Sequence, residues 1–162
     1  MNRRSSALPI VVLIALVGVT LTSALRAQAP SQLFGTWKLN VEKSDFGPMP
    51  PTKSQVMTIK DSGDQVDVDS KAQSDMGDMD VHMTLSKTKE SVNQLMGMEF
   101  HTKLTQTSDG QQEESWADLP DGGKFEYKAT SKISDDGKVL TQDVWMKSPM
   151  GEANQKLLFD KQ

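Results

Sequence analysis

Beyond residue 30 the apolar residues fall at every second position far more often than at every third or fourth, and that period belongs to strands. In "MDVHMTL" Met79, Val81, Met83 and Leu85 share one face and leave Asp80, His82 and Thr84 on the other. In "MGMEFHTKL" the same rule groups Met96, Met98, Phe100 and Leu104 against Glu99, His101 and Lys103. Further on, Phe125, Tyr127, Ala129 and Ile133 oppose Lys124, Glu126, Lys128 and Lys132. One face of the expected sheet packs inward and the other meets water.

Turn signals cut this alternation into short runs. Asp61-Ser62-Gly63-Asp64, Ser108-Asp109-Gly110, Asp121-Gly122-Gly123 and Asp135-Asp136-Gly137 are hairpin punctuation. The runs predict strands over roughly 33–40, 54–61, 64–72, 78–87, 90–95, 98–107, 112–118, 123–134, 138–147 and 153–160. Tight turns and the lack of long crossovers point to an all-β fold, an antiparallel up-and-down barrel of about eight to ten strands. The longest gap, Glu42 to Lys53, holds Pro48, Pro50 and Pro51 and is expected to form a lid or rim loop.

The first residues follow a different pattern. Arg3 and Arg4 precede the apolar run Ile10 to Val19, which leads into the small residues Ala24, Ala27 and Ala29. That order is a secretory signal peptide, since the apolar run is shorter than the roughly 20 residues that cross a bilayer. Residues 1–29 are therefore expected to be removed, with cleavage after Ala27 or Ala29 left open, and residues 30–162 to form one domain of 133 residues. The destination is periplasmic or extracellular, with no membrane insertion after cleavage.

Composition narrows the partners. No cysteine is present, so neither a disulfide nor an acylated thiol holds the mature chain, and its stability must come from packing. All 22 acidic residues follow residue 29, against 15 lysines and no arginine, a formal charge of −7. Such a chain is a poor ligand for phosphate backbones, and nucleic acid is not an expected partner.

The start of the first strand gives a resemblance. Gly35-Thr36-Trp37 resembles the G-x-W signature of lipocalins and the wider calycin group. The longer stretch "GTWKLNVEKSDFG", followed by "PMPPTKSQ" and ending in "DDGKVL" and "LLFDKQ", looks like a group of small secreted bacterial lipocalin-like proteins of uncharacterised function. The resemblance implies a barrel whose narrow end is plugged by Trp37. Gly35 lets the backbone bend where the barrel closes, and the indole N–H needs one partner at that end. Lipocalins commonly stack a late arginine on this tryptophan. With no arginine after residue 29, Lys147 or Lys156 is the expected substitute.

Nine methionines follow the signal segment. They fill an irregular core or line an adaptable cavity for an apolar ligand, and a barrel of this size permits either. The candidate cavity wall is Met57, Met79, Met83, Met96, Met98, Phe100 and Tyr127. A third reading joins thioether and imidazole in a copper site from Met96, Met98 and His101. Strand alternation opposes it, because it sends His82 and His101 to the face opposite Met83 and Met98.

Catalysis has little to stand on: there is no thiol, no G-x-S-x-G elbow and no H-E-x-x-H. Acid pairs such as Asp67 and Asp69, or Asp78 and Asp80, sit at i and i+2 on one solvated strand face. The expectation is a monomeric, non-enzymatic, cofactor-free exported barrel that binds a small apolar or amphipathic molecule. The alternative is a filled barrel that serves as an envelope interaction module through its surface.

Overall fold

The computed structural model describes residues 29–162. The expected signal peptide, apart from Ala29, lies outside the described residues. Ten strands follow one another: β1 (Gly35–Leu39), β2 (Ser54–Ser62), β3 (Gln65–Ser74), β4 (Gly77–Ser86), β5 (Ser91–Leu95), β6 (Met98–Thr107), β7 (Gly110–Asp118), β8 (Lys124–Ile133), β9 (Val139–Ser148) and β10 (Gly151–Lys161). Each alternating run becomes one strand, except that the first begins with a 3₁₀ turn at Ser31–Leu33 before β1.

All neighbours are antiparallel and the order is β4-β3-β2-β1-β10-β9-β8-β7-β6-β5. The sheet thus runs from β4 back to β1, crosses to β10 and returns to β5, so that the two end strands meet in a nearly closed barrel. At that seam side chains replace the ladder. The Asn93 amide accepts from Thr84 N at 3.0 Å and donates to Thr84 O at 3.3 Å, and Ser91 Oγ accepts from Ser86 N at 2.6 Å. Two exposed edges are thereby stitched where backbone pairing stops.

One end of the barrel is solid. Trp37 is fully buried among Leu33, Ile59, Val66, Leu85, Leu140 and Phe159. Its indole N–H donates to Leu33 O at 2.9 Å, so the 3₁₀ turn supplies the partner that a buried tryptophan needs. The cation over the ring is Lys161, with Nζ 5.0 Å from the ring centroid, in place of the expected Lys147 or Lys156. Register explains this, because Lys161 is the β10 partner of Trp37. The ammonium also donates to Phe34 O at 3.2 Å and Gln32 O at 2.5 Å. Lys147 instead pairs with Glu152 at 3.0 Å at the other end of the barrel.

The opposite end is open, and the proline-rich segment after β1 lies along its rim. Asp45 and Lys156 exchange two backbone hydrogen bonds of 2.8 Å, and Gln155 Nε2 donates to Phe46 O at 3.3 Å. Gly47 has φ +57°, and a Cβ there would stand 2.2 Å from Asn154 O, so the close approach to β10 requires glycine. The segment is thus fastened to β10 along its first half. Only the part around Pro48 and Met49 overhangs the mouth.

Candidate functional site

Above the plug the barrel is hollow. A cavity of about 260 Å³ lies between two walls of different chemistry. Met57 and Ile59 of β2, Val68 of β3, and Val81 and Met83 of β4 form the apolar wall. Their alternation along the strands is what turns them inward, and register aligns Ile59 with Val68 and Val68 with Met83. Across the barrel stand Gln111, Glu113 and Ser115 of β7, Tyr127 of β8 and Gln142 of β9. In the ring of ten strands β2 and β7 are five places apart, which sets the two walls face to face. Phe100 and Phe125 meet edge to face between them, with ring centroids 5.8 Å apart.

The polar wall has internal order. Ser115 Oγ donates to Glu113 Oε1 at 2.8 Å and is itself 2.9 Å from the buried Thr102 hydroxyl. With Ser115 donating to the carboxylate, Thr102 donates to Ser115, and the short relay polarises toward Glu113. Gln142 Nε2 donates to Ser131 Oγ at 3.0 Å, and on the apolar side Gln55 Nε2 donates to Ser70 Oγ at 2.9 Å. Burial pushes the Glu113 carboxyl above its usual range, and the Ser115 hydrogen bond offsets only part of that. Burial, and then the nearby charge of Glu113, push the Tyr127 phenol up as well.

The sequence-derived cavity residues divide. Met57, Met79, Met83, Phe100 and Tyr127 line the cavity, with Met79 at its half-exposed edge. Met96 and Met98 do not. Met96 occupies the tight turn between β5 and β6 with φ +54° and is largely exposed, because the turn interrupts the alternation that would have carried it inward. Met98 opens β6 opposite Leu95, beside that turn.

The copper candidates are not brought together. His101 lies on the outer face of β6, where its ring stacks on Trp116 at 5.4 Å and its Nδ1 stands 2.7 Å from Glu90. Met98 is three positions away and points to the other face. His82 is likewise outside, 2.6 Å from Asp69. The acid pairs form cross-strand contacts on the same solvated face, such as Lys71 with Asp80 at 3.3 Å and Lys60 with Asp69 at 3.5 Å.

Sequence reading missed Glu113 and Gln111. The segment "QQEES" offers the same polarity on both faces, so alternation assigns neither. The usable signal is two-dimensional: Glu113 is in register with Leu104 on β6 and Ala129 on β8, both of them buried inward residues.

The cavity continues toward solvent. Phe125 also borders a second, mostly apolar pocket of about 500 Å³ at the mouth, formed by Pro48, Met49, Leu119, Met146, Met150 and neighbours. This nearly closed, ten-stranded antiparallel barrel, solid at one end and hollow at the other, is a lipocalin-like barrel fold.

Comparison with known proteins bears on the fold. No protein-family model matches the chain, and no curated protein matches it in sequence. Among solved structures, a secretory abundant heat soluble protein from Ramazzottius varieornatus is similar over 83% of this chain and 98% of its own, with a TM-score of 0.56 at 14% identity. Zebrafish ileal bile acid-binding protein, solved in complex with cholic acid, is similar over 82% of this chain and 100% of its own, with a TM-score of 0.53 at 17% identity. Secretory abundant heat soluble protein 4 from Ramazzottius varieornatus is similar over 84% and 99%, with a TM-score of 0.51 at 15% identity. At these identities the likeness is one of fold.

Proposed function

We propose that this chain is an exported, monomeric binding protein that sequesters a small apolar or amphipathic molecule in a methionine-lined barrel. The observation that carries the reading is the hollow between the plug and the mouth. At the roughly 30 Å³ that a water occupies in the liquid, 260 Å³ holds about nine heavy atoms. The mouth pocket that shares Phe125 extends this to a molecule of a few hundred daltons, on the order of the ligand sites of other proteins. Small inward residues support the binding reading over a filled barrel. Ser70 lines the cavity and Ala129 stands beside Glu113, where larger side chains would close the space.

Uptake would be driven by apolar surface leaving water, about 0.8 kcal/mol for each buried CH₂. Unbranched methionines suit this role, because they repack around ligands of different shape. Cholic acid, present in the zebrafish neighbour, is an amphipathic molecule held by the same type of barrel, and this lends support. Export rests on the order of the first 29 residues. Ala29 packs against the closed-end core, which favours cleavage after Ala27, since that keeps Ala29 in the mature chain.

Titration with N-phenyl-1-naphthylamine, an uncharged apolar fluorophore that would span cavity and mouth, tests the reading. A saturable rise in fluorescence is expected, abolished in Met83→Glu and retained in Met98→Glu. A response that never saturates in the unaltered protein would overturn it.

A further inference from the structure

The inward face of β7 is at odds with an apolar cargo. Glu113 is half-buried and faces the cavity, yet among the described residues its one hydrogen bond is from Ser115 and no lysine pairs with it. Among the described residues no lysine, arginine or histidine lines the cavity. Two residues along the same face, Gln111 is 4% exposed and, among the described residues, its Oε1 has no hydrogen-bond partner. The cavity thus presents two acceptors on adjacent inward positions of one strand and no cation to meet them. Buried acceptors left in this state cost free energy, and an uncompensated carboxylate costs most.

A bound cation removes that cost. We propose that the molecule taken up by the barrel is an amphipathic amine, whose ammonium head donates to Glu113 and Gln111 while its tail lies across the cavity on Met57, Ile59, Val68 and Met83. The inference rests on the ligand-binding reading above and adds the chemistry of the head group. The geometry is suited to it, because head and tail walls are five strands apart round the ring and the space holds about nine heavy atoms, with the mouth pocket open to the end of a longer tail. Phe100 and Phe125 add aromatic faces that attract a cation. The formal charge of −7 over residues 30–162 raises the concentration of cations at the surface. Burial keeps the Glu113 carboxyl above its ordinary value, and an ammonium beside it would draw it back down. A carboxylate ligand would instead set a second negative charge beside the first with nothing to balance either.

Three probes with one tail and different heads decide it: decylammonium, decanol and decanoate, titrated at pH 7.4 by displacement of the fluorophore. Decylammonium is expected to bind at least about tenfold tighter than decanol, the gain of a charge-assisted hydrogen bond, with decanoate weakest. E113Q should bring amine and alcohol to within about twofold while decanol binding stays. E114Q, which removes the same charge from the outer face of β7 where Glu114 pairs with Lys128 at 3.2 Å, should keep the preference. Equal binding of the three probes, tightest binding of decanoate, or an amine preference that survives E113Q would overturn the head-group inference and leave the binding reading in place. Displacement by none of them, with no saturable uptake of the fluorophore, would overturn both.

Discussion

The two ends of this barrel are made from the same strands, yet they do different work. At the closed end Leu33, Trp37, Val66, Leu85, Leu140 and Phe159 are 0% exposed, and branched or aromatic side chains fill the space. At the open end Met76, Met96 and Met150 stand 74%, 78% and 98% exposed in the turns, above a cavity walled by methionine on one side and by glutamine, serine and glutamate on the other. Alternation puts residues inside the barrel at both ends. Whether the inside is filled depends on side-chain shape, and whether it is dry depends on whether each polar group has a partner.

Substitutions separate the two ends, and the largest effect belongs to the plug. Trp37→Ala should lose about 3–5 kcal/mol in denaturant unfolding, the range for removing a buried large aromatic, since it empties the closed end and strands the Leu33 carbonyl. Next comes the open end, with the opposite sign. Glu113→Gln should raise stability at neutral pH by about 1 kcal/mol, because it removes a half-buried charge that only the Ser115 hydroxyl compensates.

The pH dependence of that gain follows from the sign of the shift. The Glu113 carboxyl titrates higher in the folded chain than in the unfolded one, so folding favours its protonated form. The unaltered protein therefore meets no Glu113 penalty below the ordinary glutamate range near about 4.3. The penalty grows as pH rises through that value and is complete above the raised folded value. Surface aspartates such as Asp67, held low by the Ser62 and Thr84 hydroxyls, and Asp109, held low by Thr107, act in the opposite sense in both proteins. The difference between the two unfolding curves across pH isolates Glu113. A difference that does not change with pH would sink the assignment.

Smaller effects sharpen the contrast. Lys161→Gln should cost about 1 kcal/mol by thermal or denaturant unfolding, through the lost cation over Trp37 and the two carbonyls it bridges. Met150→Ser, at the tip of the β9–β10 turn, should stay within about 0.5 kcal/mol of the unaltered protein. A cost above 1 kcal/mol there would mean the rim is part of the core after all.

Much of the fold was legible because period-two alternation and Asp-Gly turns are local signals. The run at 98–107 matches β6, and 54–61 falls short of β2 by one residue. The plug role of Trp37 was legible through the resemblance of Gly35-Thr36-Trp37 to the G-x-W signature, which implied it. The cation over it was not, because only the β1–β10 register shows that Lys161 stands beside Trp37. Met96 was misplaced by counting alternate positions through a turn with positive φ. β7 hid its inward face most completely. Its one large apolar residue, Trp116, faces outward against His101, so hydrophobicity alone would have turned Gln111 and Glu113 toward solvent. A strand whose polar residues face a cavity departs from the pattern the rest of the chain obeys, and such departures concentrate at functional sites.

The central claim is that the upper barrel carries a small molecule. Its most direct test is the native mass spectrum of the protein, purified without detergent, set beside its denatured mass. The account expects a bound species of a few hundred daltons that is released on denaturation and basic in character. A native mass equal to that of the bare chain, together with failure to take up the fluorophore or decylammonium, would contradict it.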